Sequence, residues 1–263
     1  MQPALAEPPA FGSLIKAWRA RRRVSQLELA LDAEISQRHV SFLESGRSRP
    51  SRQAIEKLAD ALTVPRGERE KLYAAAGFAS PSSMHPWRPE ARAAIDETLR
   101  FIIERHDPFP AMVVDRLWNV EQLNASAGRF MQRFGPPRSA NVIASLLHPE
   151  GMRPYLVNWR EAAAHLVSLI EVEVARRLDD AEGRAALLEV FELPGVADAC
   201  NRAPETPAEP VLSLHFKIDG EDLRLFSLVA SVGMSIDPGL EDLKLETLLP
   251  ADAATRAWFI RQG

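Results

Sequence analysis

A short stretch of the chain carries side chains that can bind the edges of nucleic acid bases. Residues 36–51 read SQRHVSFLESGRSRPS, and the serine that opens the stretch is a suitable N-cap for a helix from Gln37 to Glu44. At 100° per residue, Val40 and Leu43 share the inner face of that helix. On the other face, arginine can pair with guanine, glutamine with adenine, and an apolar side chain with the methyl group of thymine. The candidate base contacts are Gln37, Arg38, Ser41 and Phe42.

A second group of polar side chains flanks this helix and is suited to phosphate oxygens. Contacts of this kind strengthen binding to nucleic acid without reading its sequence. The expected phosphate contacts are Gln26, Ser36, Arg47 and Arg49. Phe42 has an alternative role, in which its ring folds back against the stem of the neighbouring arginine or against the loop 47–50.

The charge of the chain is distributed unevenly. Between Phe11 and Tyr73 there are 13 Lys and Arg against 8 Asp and Glu, whereas the rest of the chain has 19 basic and 28 acidic residues. A basic block joined to an acidic body favours a polyanion-binding domain beside a domain that does not bind polyanions, although chance patchiness gives the same totals. Helical periodicity and serine N-caps predict five short helices in the basic block, at residues 13–22, 26–32, 37–44, 52–62 and 68–76.

The second and third of these helices resemble the helix-turn-helix of lambda-repressor-like (XRE-type) DNA-binding domains. The resemblance covers about residues 12–64 and rests on small Ala30 where the two helices cross, on a tight turn at 33–35, and on the apolar inner face of the third helix. One departure is Glu34, where the family usually has glycine. The resemblance implies that the third helix projects into the major groove of DNA. It also implies a structural salt bridge, formed by Arg19 and Glu44.

The second half of the chain has a different pattern. The stretch ASPSSMHPWRP is rich in proline and serine, which indicates a linker before a helix from about Glu90 to His106. In the last third, VLSLHFKI and DLRLFSLVASV flank Asp219-Gly220, a pair favoured in tight hairpins. One or two short strands ending at Asn124 and a third antiparallel strand, LKLETLLP, complete an α+β domain with an antiparallel sheet. Further helices are predicted at 125–134, 155–178 and 183–192, and connecting sequence at 194–210.

A closer resemblance extends over nearly the whole chain, apart from the first ten residues and the stretch 192–210. It is to MmyB-like transcription regulators, and it rests on SQRHVSFLESGRSRPS and the sequence after it, on PAMVVDRLWNVEQLNASA, on NVIASLLHPEGMR and on LEDLKLETLLPADAAT. The resemblance implies a PAS-like C-terminal domain with a pocket for a small molecule, such as an acyl chain or fatty acid. The candidate pocket residues, each with the alternative role of an ordinary core residue, are Trp118, Phe130, Phe134, Trp159, His165, Phe216 and Phe226.

No pattern of catalytic or metal-ligating residues stands out. The six histidines show no paired spacing, and the chain has no nucleophile-elbow, zinc-protease, P-loop or dinucleotide-binding motif. Cys200 is the only cysteine, which favours a reducing cytoplasm. The most apolar helical stretch is interrupted by His165 and two glutamates, and the start of the chain lacks the pattern of a signal peptide. We therefore expect no enzymatic activity, no metal, no required cofactor and no membrane span.

The sequence as a whole predicts a two-domain transcription regulator in the cytoplasm. We expect a homodimer on a pseudo-palindromic operator in double-stranded DNA, because one short recognition helix contacts few base pairs, and we expect a small-molecule effector. Two alternatives stay open: a haem- or flavin-bearing sensor or enzyme-like domain fused to the helix-turn-helix, and a protein-interaction adaptor. The expected organisation is a disordered tail at 1–10, an all-α five-helix domain at 11–78, a linker at 79–94, and a PAS-like ligand-binding and dimerisation domain at 95–263.

Overall fold

The computed structural model describes residues 10–79, 89–201, 212–231 and 242–262, which divide into an N-terminal and a C-terminal unit. The N-terminal unit consists of helices, which confirms the predicted all-α domain. These helices are α1 (Phe11–Arg22), α2 (Gln26–Asp32), α3 (Gln37–Glu44), α4 (Arg52–Ala61) and α5 (Arg66–Ala75).

Side-chain caps fix the residues at which three of these helices begin. The Ser25 hydroxyl accepts a hydrogen bond from the Glu28 backbone N–H, and the Glu28 carboxylate accepts one from the Ser25 N–H, which makes a capping box at the start of α2. Ser36 caps α3 and Ser51 caps α4 through their hydroxyl groups. All three caps were predicted, and each stabilises its helix by about 1 kcal/mol.

The core of the N-terminal unit is one apolar cluster. Trp18 of α1 and Leu43 of α3 are buried at its centre, together with apolar side chains from the other helices. On α2 the inward residues are the Leu29–Ala30 pair, whereas Leu27 and Leu31 are exposed. The apolar character of Leu27 and Leu31 therefore does not by itself place them in the core.

The C-terminal unit contains an antiparallel sheet of five strands in the order β2-β1-β5-β4-β3. Asp219 and Gly220 both have positive φ, of 54° and 84°, as the predicted two-residue hairpin turn between β3 and β4 requires. The α+β class and its antiparallel sheet are therefore confirmed. The strands are β1 (Ala111–Val114), β2 (Val120–Leu123), β3 (Ser213–Ile218), β4 (Glu221–Ser231) and β5 (Lys244–Pro250).

Helices pack against this sheet. Phe216 of β3 and Leu225 of β4 are buried in one cluster with Phe130, Leu166 and Phe259 from the helices. The helices of this unit are α6 (Pro89–Glu104), α7 (Ala125–Gln132), α8 (Val142–Leu147), α9 (Trp159–Ala175), α10 (Ala181–Phe191), α11 (Val196–Asn201) and α12 (Ala253–Gln262), with a 3-10 turn at Arg153–Tyr155.

The buried amide of Asn124 joins three elements of this unit. Its Oδ1 accepts hydrogen bonds from the backbone N–H groups of Ala111 and Ala127, at 3.1 and 2.8 Å. Its Nδ2 donates to the carbonyl oxygens of Ile103 and Phe109, at 3.0 and 2.9 Å. Since all four bonds are made inside the protein, Asn124 ties the end of α6 to β1 and to the first turn of α7.

Three boundaries differ from the sequence expectation. Helix α11 lies within the stretch expected to be a connection, because Val196 and Ala199 bury one helical face beside α9. Helix α9 begins at Trp159, since the residues before it form the 3-10 turn. Helix α6 begins at Pro89, next to the start expected at about Glu90, so residues 89–94 of the range assigned to the linker are helical. The expected tail up to residue 9 and the linker residues 80–88 lie outside the described residues.

Candidate nucleic-acid interface and ligand cavities

Helix α3 separates its side chains as the sequence predicted. Val40 and Leu43 are buried in the core. Gln37 and Arg38 are exposed, while Ser41 and Phe42 are half-buried. The outer face therefore carries the four candidate base contacts on one rigid element, although Phe42 is less exposed than an isolated amphipathic helix would make it.

Arg38 and Phe42 lie one turn apart on α3 and contact each other. The Arg38 guanidinium carbon lies 5.1 Å from the centroid of the Phe42 ring, a cation–π distance worth about 0.5–1 kcal/mol at an exposed site. The ring thus faces the guanidinium group and restricts the directions that it can take. The packing role of Phe42 thus has a contact in the structure, while the guanidinium N–H groups of Arg38 stay available to a base.

The predicted salt bridge joins α1 to the end of α3. Nε and Nη2 of Arg19 donate to the two carboxylate oxygens of Glu44, at 2.7 and 3.1 Å. The Gln26 amide donates to the same carboxylate at 2.7 Å. Burial opposes ionisation of Glu44, but the hydrogen bonds from Arg19 and Gln26 outweigh it, so the pKa of this carboxyl lies below its ordinary value. Gln26, expected at a phosphate, therefore has a structural role at the crossing of α2 and α3.

The loop after α3 presents cations to solvent. Arg47 and Arg49 are exposed, and within the described ranges neither they nor Arg38 has an acidic partner. Gly46 ends α3 with a φ of +73°, a left-handed conformation that turns the chain sharply into this loop. The Ser36 hydroxyl, also expected at a phosphate, accepts the cap hydrogen bond from the His39 N–H, a bond that does not use its own O–H donor.

Two features of the helix-turn-helix explain its backbone geometry. Glu34 has a φ of +50°, which accounts for the glycine that the resembling domains carry at this position. Its carboxylate pairs with Lys57 of α4 at 2.9 Å.

At Gly12 of α1, a Cβ atom would lie 2.5 Å from the carbonyl oxygen of Leu43 and 2.6 Å from that of Glu44. Helix α1 therefore passes against the end of α3 at a distance that only glycine permits, which sequence reasoning did not detect.

An inner cavity of about 40 Å³ lies among the sheet, α7, α8 and α9. The candidate pocket residues Trp118, Phe130 and Phe216 line it, and the Phe130 and Phe216 rings pack edge to face with their centroids 5.4 Å apart. The remaining lining residues are apolar except for Glu246. They are Pro110, Met112, Ala127, Met131, Val142, Ile143, Leu146, Met152, Leu166, Leu212, Leu214 and Leu248.

A larger outer cavity of about 540 Å³ adjoins the inner one, a volume within the range of small-molecule sites. It is lined by α7, by α8 and by the loop between them, and it includes the candidate Phe134 and the cationic Arg138. Met131, Val142 and Met152 line both cavities. Two of these three shared side chains are methionines, which adapt readily to changes of shape.

Three candidate pocket residues line neither of these two cavities. His165 is exposed on α9, because the buried face of that helix is formed by Ala162, Leu166 and their neighbours in helical phase. Phe226 alternates with the inward Leu225 on β4, so its side chain lies on the other face of the sheet. Trp159 packs at the edge of the core under the guanidinium groups of two arginines, Arg153 and Arg160, at 4.7 and 4.6 Å.

The Trp118 ring is held by a strained loop. Trp118 has a φ of +66°, which is unusual for a side chain of this size. The Asp115 carboxylate accepts hydrogen bonds from the N–H groups of Leu117 and Asn119 and from the Asn119 amide, at 2.8–2.9 Å. The Lys244 ammonium lies 3.8 Å from the centroid of the Trp118 ring. The β1–β2 loop and β5 together therefore fix the tryptophan at the cavity.

Sequence reasoning also missed Glu246 of β5. Its side chain lines the inner cavity, and its Oε1 accepts a hydrogen bond from the Ser227 hydroxyl at 2.8 Å. Burial raises the pKa of the Glu246 carboxyl above its ordinary value, against the opposing effects of Ser227 and the charge of Lys244. The alternation of charged and apolar residues in KLETLL identified the strand but did not reveal that its charged face points inward.

Neither a metal centre nor a membrane-spanning helix is found in the described ranges. No group of three or more His, Cys, Asp or Glu side chains among residues 10–79, 89–201, 212–231 and 242–262 could hold a metal ion. No helix in that part of the chain is long and apolar enough to cross a membrane.

The helical unit with its α3 face and the α+β unit with its two cavities are those of a DNA-binding transcription regulator that has a ligand-sensing domain. Comparison with protein families agrees with this. A model of the helix-turn-helix domain matches residues 10–72, and a model described as the MmyB-like transcription regulator ligand binding domain matches residues 95–260. The second match covers more than half of the chain, so the chain belongs to the family of MmyB-like transcription regulators. A search among curated proteins gives no match.

Proposed function

We propose that this protein is a cytoplasmic regulator without catalytic activity, which binds a pseudo-palindromic DNA operator as a homodimer and changes its DNA affinity when a small apolar ligand occupies the C-terminal unit. The observation that carries the DNA-binding part is the outer face of α3 with its flanking loop. The face presents Arg38 and the loop presents Arg47 and Arg49, and none of the three has an acidic partner among the residues that the structure describes. Arg38 reads a base edge, and the loop arginines neutralise phosphates.

The inner cavity supports an apolar ligand of the acyl or fatty-acid type within a PAS-like domain. Fifteen of its sixteen lining residues are apolar or aromatic, which is the composition of small-molecule sites that bind by burial of hydrocarbon. The outer cavity supplies the volume that the inner cavity of about 40 Å³ lacks, and the two spaces share the lining side chains Met131, Val142 and Met152.

Mapping of bound sites across the genome supplies the operator, after which Arg38→Ala tests base reading. We expect the variant to lose about 1–3 kcal/mol of operator binding while its fold is preserved, because one bidentate base contact is removed. Arg105→Ala is a matched control, since Arg105 also stacks on an aromatic ring, Phe101, at 4.9 Å but belongs to the C-terminal unit. Equal affinity of Arg38→Ala and the wild type for operator DNA rejects base reading by α3 and favours an adaptor.

The homodimer is tested by sedimentation of the full chain with and without operator DNA. We expect a dimer on DNA, because a single α3 contacts few base pairs and two half-sites are needed for specificity. A monomer under both conditions rejects this part of the proposal.

The ligand is tested by native mass spectrometry of the purified protein and by a screen for small molecules that change operator affinity.

A further inference from the structure

One carboxyl group lies in the otherwise apolar wall of the inner cavity. Glu246 is 8% exposed, and its side chain lies on the same inward face of β5 as that of Leu248. Among the sixteen lining residues, it is the only one with an ionisable side chain. A buried carboxyl in an apolar setting is costly to a fold, so its presence here calls for a partner.

Only one of the two oxygens of the Glu246 carboxyl has a hydrogen-bond partner among the described residues. The Ser227 hydroxyl donates to Oε1 at 2.8 Å from the neighbouring strand β4. Within the described ranges, the structure gives Oε2 no hydrogen-bond partner. Because the side chain lines the cavity, a polar group of a bound molecule can reach the carboxyl.

The nearest cation on the same strand is engaged elsewhere. The Lys244 ammonium donates to the Glu173 carboxylate at 3.0 Å and to the carbonyl oxygen of Arg116 at 2.9 Å, and it lies over the Trp118 ring. Glu246 therefore has no ion-pair partner among the described residues. Two carboxyl groups side by side in an apolar space cannot both stay ionised, so a ligand carboxylate could bind beside Glu246 only with the uptake of a proton, which costs free energy at neutral pH.

We infer that Glu246 is the polar anchor of the inner cavity and selects an aliphatic ligand whose buried end is a hydroxyl group over one whose buried end is a carboxylate. A hydroxyl fits this position because it can donate to a carboxylate and can also accept from a carboxylic acid. A protonated amine fits less well, because an ammonium loses its hydration on entering an apolar cavity. A fatty acid, by the same reasoning, enters with its alkyl end first.

This inference rests on the proposed ligand-binding function, and a pair of probes with equal chain length tests it. Binding of 1-octanol and of octanoate to the full-length protein is measured by isothermal titration calorimetry at neutral pH. We expect 1-octanol to bind at least about tenfold more tightly, because only the alcohol makes a hydrogen bond to Glu246. Equal binding of the two probes overturns the anchor and leaves an apolar ligand-binding function intact. Binding of neither probe also overturns it, while operator binding by α3 is judged separately through Arg38→Ala.

The variant Glu246→Gln isolates the charge of the anchor. It keeps the size and an acceptor for Ser227 but removes the ionisable group, so the preference for 1-octanol should fall below about threefold through tighter binding of octanoate. Glu221→Gln, on the exposed start of β4, is the matched control and should leave the preference unchanged. An unchanged preference in Glu246→Gln overturns the inference. If that variant does not fold, the comparison of the two probes on the wild-type protein still decides.

Discussion

Replacing Arg19 by alanine should lower the free energy of unfolding of the helix-turn-helix unit by about 2–4 kcal/mol. Arg19 holds both carboxylate oxygens of Glu44, whose side chain is 5% exposed. Removal of one partner from a buried pair costs about 3–5 kcal/mol, because the other charge is left uncompensated. The cost is smaller here because Arg19 itself is 19% exposed and because Gln26 continues to donate to Glu44.

Hydrogen exchange of the full chain, followed by mass spectrometry, measures this loss at α3. Since about 1.4 kcal/mol corresponds to a factor of ten, the amides of α3 should exchange about 30 to 700 times faster in Arg19→Ala. Lys57→Ala is the matched control, because it breaks an exposed pair with Glu34 and should cost less than about 1 kcal/mol. Exchange at α3 within about fivefold of the wild type would refute the reasoning.

Two further measurements distinguish the loss of the Arg19–Glu44 attraction from the cost of leaving the Glu44 carboxylate buried without a partner. Glu44→Gln in the Arg19→Ala background removes the buried charge and should recover part of the stability.

Because the folded pKa of Glu44 lies below its ordinary value of 4.5, the pair stabilises the fold above pH 4.5, and this contribution is lost as the pH falls through the folded pKa. The difference between the wild type and Arg19→Ala should therefore shrink in acid. A difference that stays constant from about pH 7 to about pH 3 contradicts this assignment.

Three other substitutions test separate parts of the structure. Gly12→Ala places a methyl group 2.5 and 2.6 Å from two carbonyl oxygens at the end of α3 and should cost about 1–3 kcal/mol in thermal unfolding, whereas Gly128→Ala, whose nearest contact is a side-chain carbon at 3.3 Å, should cost less. Phe42→Ala should remove a preference for thymine at one operator position, and a uniform loss of affinity would show that the ring only packs. Asp115→Ala leaves three hydrogen-bond donors of the Trp118 loop without their acceptor. The variant should therefore lose about 1–3 kcal/mol of stability in chemical unfolding and bind 1-octanol more weakly. Unchanged values for both would contradict the role of this loop in fixing Trp118 at the cavity.

The N-terminal unit could be predicted from sequence because its signals are local. A serine before each of α2, α3 and α4 marks a cap, and the inward pair Val40 and Leu43 fixes the orientation of α3 within eight residues. The salt bridge of Arg19 came from the family resemblance, since no local rule connects residues 25 positions apart. The contact of Gly12 with α3 was missed for the same reason, because a close approach between helices depends on packing and leaves no periodic pattern.

The cavity was predicted less well because bulk alone does not say which way a side chain points. Phe216 and Phe226 both lie on strands, but only Phe216 shares the inward parity of its neighbours. His165 lies one residue away from the buried face of α9, because the neighbouring Leu166 is the buried residue. Glu246 was missed because a charged residue in a strand is ordinarily solvated, and only the sheet order shows that β5 lies in the middle of the sheet.

The four hydrogen bonds of Asn124 also determine how a change at the cavity is transmitted. Helix α7 supplies Phe130 and Met131 to the cavity wall, and the first turn of α7 shares the Asn124 amide with the end of α6. A ligand that displaces α7 must either strand buried donors and acceptors at Asn124 or carry α6 along with it. Since each stranded group costs about 1–3 kcal/mol, we expect the amide to couple a movement of α7 at the pocket wall to the end of α6.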